Sequence, residues 1–435
     1  MPYERGIRCK NAGMVSRGIV RSMARGAALS VAMLLCGALS VSHAQLTADK
    51  NFRKTAQAAQ SSLEKGDMAA ARAYISSLAP NNVFESYMAA SFQLELALKQ
   101  GDILTQRLAV ARVLESGGVP QEQLGYLNYL AGYLSYQTGA TDNAIIYLER
   151  ARALGGNDIK ALLLLSESYA RQGKVDQASA VADEAINAQK SAGQTVPVSW
   201  YDRAASLAHD RKNWSEMARY GAASLAGPGT TAAQWRTALV AYGTHAKPDD
   251  EALLDLYRLQ AATDALASER DYHEYAQLAG NLGYAAEAKA VIEAGQSSGA
   301  LLQSDRVAQA LAGNNRRKAV VQLSALRGLA GKADGMPSAL RAMQNADMLF
   351  AVSQYSQAIP YYRAALEKPG VDRDRVTARL GIALARAGDL DGAIIALAQA
   401  TGAWSDVATY WTAWTNNRRN ILVQEQQPEA VASAQ

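Results

Sequence analysis

The chain has 435 residues, 49% hydrophobic, 19% charged and 7% aromatic, with two cysteines and a formal charge of +4. That is enough material for two or three compact domains or one extended array. Cys9 and Cys36 both fall in the first 44 residues, so the rest of the chain has no disulfide, thiol nucleophile or thiolate metal ligand.

Residues 1–44 read as a secretory signal peptide. Residues 5–26 carry six Lys/Arg and precede the apolar run AALSVAMLLCGALSV, which ends in SHAQ. A basic region, a short apolar core and a small-x-small end predict export to a periplasm with cleavage after Ala44. The apolar run is short for a membrane span; an uncleaved leader acting as an anchor is the alternative. Leu35 stands before Cys36, where lipidation needs a small residue, and a start at Met14 or Met23 leaves an ordinary leader. Taking six basic residues and one acidic residue from totals of 44 and 40 leaves a charge near −1. Net charge then gives no reason to expect nucleic-acid or anionic-membrane binding.

Beyond the leader, alanine, leucine and glutamine are plentiful and β-branched runs scarce, which favours helix. A short signature recurs, a turn residue followed five positions later by alanine. It appears as GDMAAA at Gly66, GATDNA at Gly139, GKVDQA at Gly173, GYAAEA at Gly283, SQYSQA at Ser353 and GDLDGA at Gly388. GDILTQ at Gly101 and KNWSEM at Lys212 read as eroded copies. Gly139 and Gly173 lie 34 residues apart, Ser353 and Gly388 35. Such a period signals stacked helix–turn–helix units. In the unit around Gly173, Leu162, Leu165 and Tyr169 recur at helical spacing before the glycine ends the helix. Ala178, Ala182 and Ala185 then mark the packing stripe of the second helix, where small residues let two axes approach closely. Gly132 has the same role one unit earlier.

At these residues the chain resembles the tetratricopeptide repeat (TPR) family. The match is best in YLAGYLSYQTGATDNAIIYLERARAL, with Gly132, Tyr136, Ala144, Leu148 and Ala151 at family positions, again from Leu162 to Ala185, and from Leu349 to Ala400. It is looser over 52–80 and 269–295. The bulky aromatic near the start of the first helix is mostly missing, Tyr201 and Tyr272 being the better matches, and only Pro80 and Pro369 sit where the family often closes a unit. The resemblance implies an all-α fold, an α-α superhelical solenoid of TPR-like helix-turn-helix repeats.

The expected organisation has a TPR-like N-terminal arm over 45–186 and degenerate helical repeats over 187–330, irregular at 232–268 and 301–330. C-terminal repeats fill 331–415, closed by a capping helix over 405–415, and 416–435 form a flexible tail. Gly/Pro/Ser-rich stretches at 190–199, 226–231 and 328–338 read as long turns. They leave open one continuous array or two arms hinged near 190–231.

Candidate chemistry is sparse. His209, His245 and His273 show no metal-ligand spacing, and Glu274 beside His273 points to another helix face; packed or solvated histidines are expected, and no cofactor or metal. The basic stretches Arg316–Lys318 and NNRR at 416–419 read as solvated inter-helix turns, or as an anion contact. One constellation stands out. Tyr126, Tyr129, Tyr133 and Tyr136, spaced three, four and three apart, form one helix stripe beside Leu127, Leu130 and Leu134. The tyrosines either line a partner-binding surface, to which the resemblance assigns the first helices, or pack their rings between helices with hydroxyls in water. In the next unit Lys160, Glu167 and Arg171 share the corresponding face.

The resulting expectation is a non-enzymatic periplasmic scaffold or adaptor. It binds protein or peptide partners and no nucleic acid, and associates peripherally with envelope complexes in cell-envelope assembly, polysaccharide export or secretion. The alternative is a cell-wall or polysaccharide-acting enzyme, or its helical accessory module, built on an α-superhelix. That would need paired carboxylates in a cleft, one of them kept protonated.

Overall fold

A computed structural model describes residues 48–425 apart from 156–157, 228 and 330–331. The leader and residues 426–435 lie outside the described residues. Among those described, the chain forms twenty α-helices and no strand, and it divides into two compact units, 1–194 and 195–435.

The first unit is four helix pairs in succession: α1 (Lys50–Lys65) with α2 (Met68–Ser76), α3 (Val83–Gln100) with α4 (Ile103–Glu115), α5 (Gln121–Gln137) with α6 (Thr141–Ala153), and α7 (Ile159–Arg171) with α8 (Val175–Ser191). The second begins with α9 (Val198–Asp210) and α10 (Trp214–Leu225), then α11 (Ala232–Ala246), α12 (Asp250–Ala262), α13 (Glu269–Asn281) and α14 (Ala285–Ser297). It continues with α15 (Arg306–Leu326), the pair α16 (Ala339–Ala351) and α17 (Tyr355–Leu366), the pair α18 (Arg373–Ala387) and α19 (Leu390–Leu397), and α20 (Ser405–Glu425). Asp, Asn, Ser or Thr side chains cap most first turns, as at Asp49, Asn82, Asp158, Ser268 and Asp372, satisfying N–H groups that have no helical acceptor.

The recurring turn residue has one backbone conformation. Gly66, Gly139, Gly173, Gly283 and Gly388 are left-handed, and so are Lys212 (φ 55°) and Ser353 (φ 60°), the two positions that carry the signature without glycine. At six of these seven turns the residues seven before and five after are small, whereas at Lys212 they are Ala205 and Met217. The small pairs are Ala59 with Ala71, Gly132 with Ala144, Ser166 with Ala178, Ala276 with Ala288, Ala346 with Ala358 and Gly381 with Ala393, all buried. The Ser166 hydroxyl donates to the Ala178 carbonyl at 2.7 Å. A Cβ on Gly132 would stand 2.6 Å from Leu148 Cγ, and one on Gly381 2.6 Å from Leu397 Cγ. Leu148 and Leu397 occupy the same repeat position, nine residues after their turns.

The second unit departs from this scheme in two places. Residues 301–330, expected as an irregular helix pair, hold the single helix α15. It packs on α13 and α14, and among the described residues no second helix follows before α16. Residues 405–415 do not end the chain as a terminal cap. The helix runs on to Glu425, so the first ten residues of the expected flexible tail are helical. The sequence has no helix breaker before Pro428. Trp404, Val407, Tyr410 and Trp411 are each at most 3% exposed, because α20 is buried between α18 and α19 and the earlier helices α10 and α12. The Tyr242 hydroxyl donates to Asp406 Oδ2 (2.7 Å), Trp411 Nε1 to the Asp255 carbonyl (3.2 Å) and Asn417 Nδ2 to the Gly227 carbonyl (2.7 Å). The C-terminal helix thus closes the second unit onto its own beginning.

A buried charge network lies inside that closure. Arg379 of α18 is fully buried and reaches Glu251 (2.6 Å), Asp255 (2.9 Å) and Asp347 (2.9 Å). Arg375 bridges Asp347 (2.6 Å) and Glu251 (3.0 Å); Arg258 joins Asp255 (2.5 Å) to Glu287 (2.6 Å). The Tyr275 and Tyr362 hydroxyls donate to Glu287 and Asp347, each at 2.8 Å. Burial pushes Asp347 toward the neutral acid, but Arg379 and Arg375 outweigh it and hold the carboxyl below its usual range. Burial likewise opposes the charge of Arg379, and Asp255 and Asp347 override it, raising the arginine above its ordinary value.

Four outcomes are expected from these contacts. Gly132→Ala and Gly381→Ala each overpack a crossing and lower the urea unfolding free energy by about 1–3 kcal/mol, whereas Ser353→Gly relieves a left-handed serine and raises it by about 1 kcal/mol. Arg379→Met strands buried carboxylates and costs the second unit about 3–5 kcal/mol in the same measurement. Because the folded pKa of Asp347 is depressed, its contribution is complete above the unfolded value near 4 and is lost as pH falls through the folded value. Urea midpoints measured against pH should therefore drop in acid, and Asp347→Asn should be less stable at neutral pH with a shallower acid decline.

Candidate functional site

The tyrosine stripe of α5 lies where the spacing puts it, but its members differ in surroundings. Leu127, Leu130 and Leu134 are at most 7% exposed and serve the core. Tyr133 packs against the core built by α1 to α5, while Tyr129 and Tyr136 pack against the core of α6 to α8. Both ring bodies and seam therefore belong to the junction between consecutive helix pairs. Tyr126, 40% exposed, is the member most open to solvent. Burial, with smaller help from Asp158 and the neighbouring tyrosines, pushes Tyr129 up to about 12; burial raises Tyr126 and Tyr133 as well. All three remain neutral phenols at physiological pH.

The residues of α7 join this strip at two points. The Arg171 guanidinium sits 3.6 Å from the Tyr136 ring centroid, a cation–π stack across consecutive first helices, and Arg171 Nη1 also donates to the Tyr136 carbonyl at 3.5 Å. At the other end Asp158 caps α7, accepting the Lys160 backbone N–H at 2.9 Å, and it lies close enough to Tyr129 to act on its hydroxyl. The Lys160 side chain is exposed and Glu167 half-buried. Behind them Tyr169 donates to Glu149 at 2.8 Å, and Arg152 bridges Glu149 and Glu184 at 3.4 and 2.5 Å. The face is thus a supported strip with one exposed phenol, one exposed lysine and a guanidinium already laid on a ring.

The remaining candidates are the buried acids, the histidines and one pocket. The acids Glu251, Asp255, Glu287 and Asp347 converge, but each meets an arginine, and Asp347 is held ionised, the opposite of what a general acid requires. His209 and His245, unrelated by helical spacing, come together from α9 and α11 with ring centroids 4.5 Å apart beside Trp214. No group of three or more metal-type ligands exists among the described residues. His273 pairs with Asp305, the cap of α15, at 2.7 Å, while Glu274 takes Arg270 and Tyr257 on a different side. A pocket of about 600 Å³ in the second unit is lined by Trp235, Thr263, Asp264, Arg386, Trp414 and Arg418 among others. Its two guanidiniums face one carboxylate and the carbonyl ends of α12 and α18, so its field favours neither sign of ligand.

Arg316–Lys318 and 416–419, expected in inter-helix turns, lie within α15 and α20. Tertiary packing overrides the local Gly-Asn-Asn signal. Asn315 is 6% exposed, its Nδ2 donates to the Leu311 carbonyl at 2.9 Å, and its side chain fills the space over Gly280. No described helix is long and apolar enough to cross a membrane.

No family model matches the chain, and no curated protein matches it. Among solved structures it is similar to a tetratricopeptide repeat protein from Parabacteroides merdae, at 12% identity over 77% of this chain and 100% of the other, with a TM-score of 0.30. It is also similar to the TPR2AB domain of yeast Sti1 in a pHSP90 complex, at 16% identity over 67% and 99%, TM-score 0.24. A third is a Rap protein complexed with competence and sporulation factor, at 12% identity over 87% and 99%, TM-score 0.24. Its own turn geometry and small-residue crossings make this chain an all-α solenoid of paired helices, consistent with the tetratricopeptide repeat family.

Proposed function

We propose that the protein is an exported, non-enzymatic scaffold that binds a protein or peptide partner on the face formed by α5 and α7. Stacked helix pairs supply extended surface rather than an enclosed cleft, and charge-neutral phenols with little rotamer entropy suit such a surface. The observation that carries the reading is the strip itself: Tyr126 is exposed beside the half-buried Tyr129 and Tyr133, with Lys160 exposed at one end and Arg171 at the other. A partner segment laid along it meets apolar ring area between two cations. The leader supports export to a periplasm, and a role in envelope assembly, polysaccharide export or secretion follows from that location.

Substitution should respect the packing. Tyr129→Ala and Tyr133→Ala would open holes against two cores, so Tyr126→Ala combined with Lys160→Ala is the cleaner probe. Crosslinking with mass spectrometry in the native host should lose partner peptides mapped to α5 and α7, and the affinity for the recovered partner should fall about tenfold, with helicity unchanged. Unaltered crosslinks would reject the face. N-terminal sequencing of the exported protein should begin at Gln45.

A further inference from the structure

We infer that α15 is a second docking face, for an acidic amphipathic helix of a partner protein. In the other helix pairs of the signature, a first helix is followed by a second that lies along it. The helix α15 rests on α13 and α14 through Ala308, Asn315 and Ala319, with Leu326 in the core that α16 and α17 share, and among the described residues no second helix follows before α16 to lie along its outer side. That side keeps apolar surface in solvent. Val320 is 65% exposed and Val321 70%, whereas core-facing positions of the helix are buried. Isolated exposed valines need no explanation, but these stand together at the place where the architecture elsewhere lays a helix.

Charge specifies the occupant. From Arg306 to Ala333 there are six Lys/Arg and no Asp or Glu, in a chain otherwise close to balance. Arg316, Arg317 and Lys318 are exposed and form none of the ion pairs seen among the described residues. At 100° per residue, Arg306, Ala310, Gly313, Arg317, Val320, Val321 and Ser324 share the half of the helix opposite Ala308 and Ala319. A Cβ on Gly313 would meet nothing within 4 Å, so a facing backbone can approach closely there. A basic rim around a small and β-branched stripe is complementary to a helix with an apolar seam flanked by Glu or Asp. A lipid surface is less well matched, since no exposed aromatic or long apolar side chain stands on this face to enter a bilayer interface.

The test is independent of the α5 face. Full-length protein would be titrated with a fluorescein-labelled synthetic helix carrying leucine along one stripe and glutamate on both flanks. Controls would be a scrambled peptide of the same composition and vesicles containing phosphatidylglycerol. Saturable binding is expected, weakened about tenfold by R316E/R317E and by V321D separately, and untouched by Tyr126→Ala. All these positions are exposed, so the melting curves should superpose. No peptide binding, equal binding of the scrambled peptide, insensitivity to V321D, or preference for the vesicles would each overturn the proposal.

Discussion

Two helices can lie against each other along their whole length only if nothing larger than a methyl or a hydroxymethyl stands where they cross. In this chain that condition is met seven residues before and five after most of the repeat turns, by Gly132 and Ala144, Ser166 and Ala178, or Gly381 and Ala393. The larger side chains take their places from it. Leu148 and Leu397 lean into the space that the missing Cβ of Gly132 and Gly381 leaves, and each pair then presents an apolar edge that only a further pair can cover. The α5 strip is a product of the same constraint, since its rings are clamped where consecutive pairs meet.

The units share this device and use it differently. In the first, contacts run between neighbours in the sequence. In the second, α20 returns to α10 and α12, and charged groups occupy the interior that the return encloses. A buried ion network of this kind gains little net stability over an apolar core. Its geometry is demanding, however, because each guanidinium must meet carboxylates from separate helices at once.

Local features were legible in the sequence for a physical reason: they are short-range. A turn that needs positive φ, a small residue at a fixed offset and a leucine at helical spacing all leave marks within a dozen residues. The recurring signature therefore marks even Lys212 and Ser353 as turn positions, and both are left-handed. The tyrosine spacing gave the stripe, and Arg171 fell over Tyr136 although neither contact nor stacking is encoded in a period. Illegible were the features made by chain return. No repeat or motif links Asp255 to Arg379, the aromatic run of α20 reads equally as a cap or as an interior strut, and the Gly-Asn-Asn of α15 signals a turn that Asn315 packing suppresses. The missing companion of α15 was hidden likewise, since absent helices leave no signature.

The separation between Asp255 and Arg379 is 124 residues. On the ribosome, α12 therefore emerges with Arg258 beside Asp255 but long before Arg375 and Arg379 are made. Vectorial synthesis can complete the first unit pair by pair, but the second must wait for its last hundred residues. Until those residues are made, the acids of α12 that await Arg375 and Arg379 have no place to be buried.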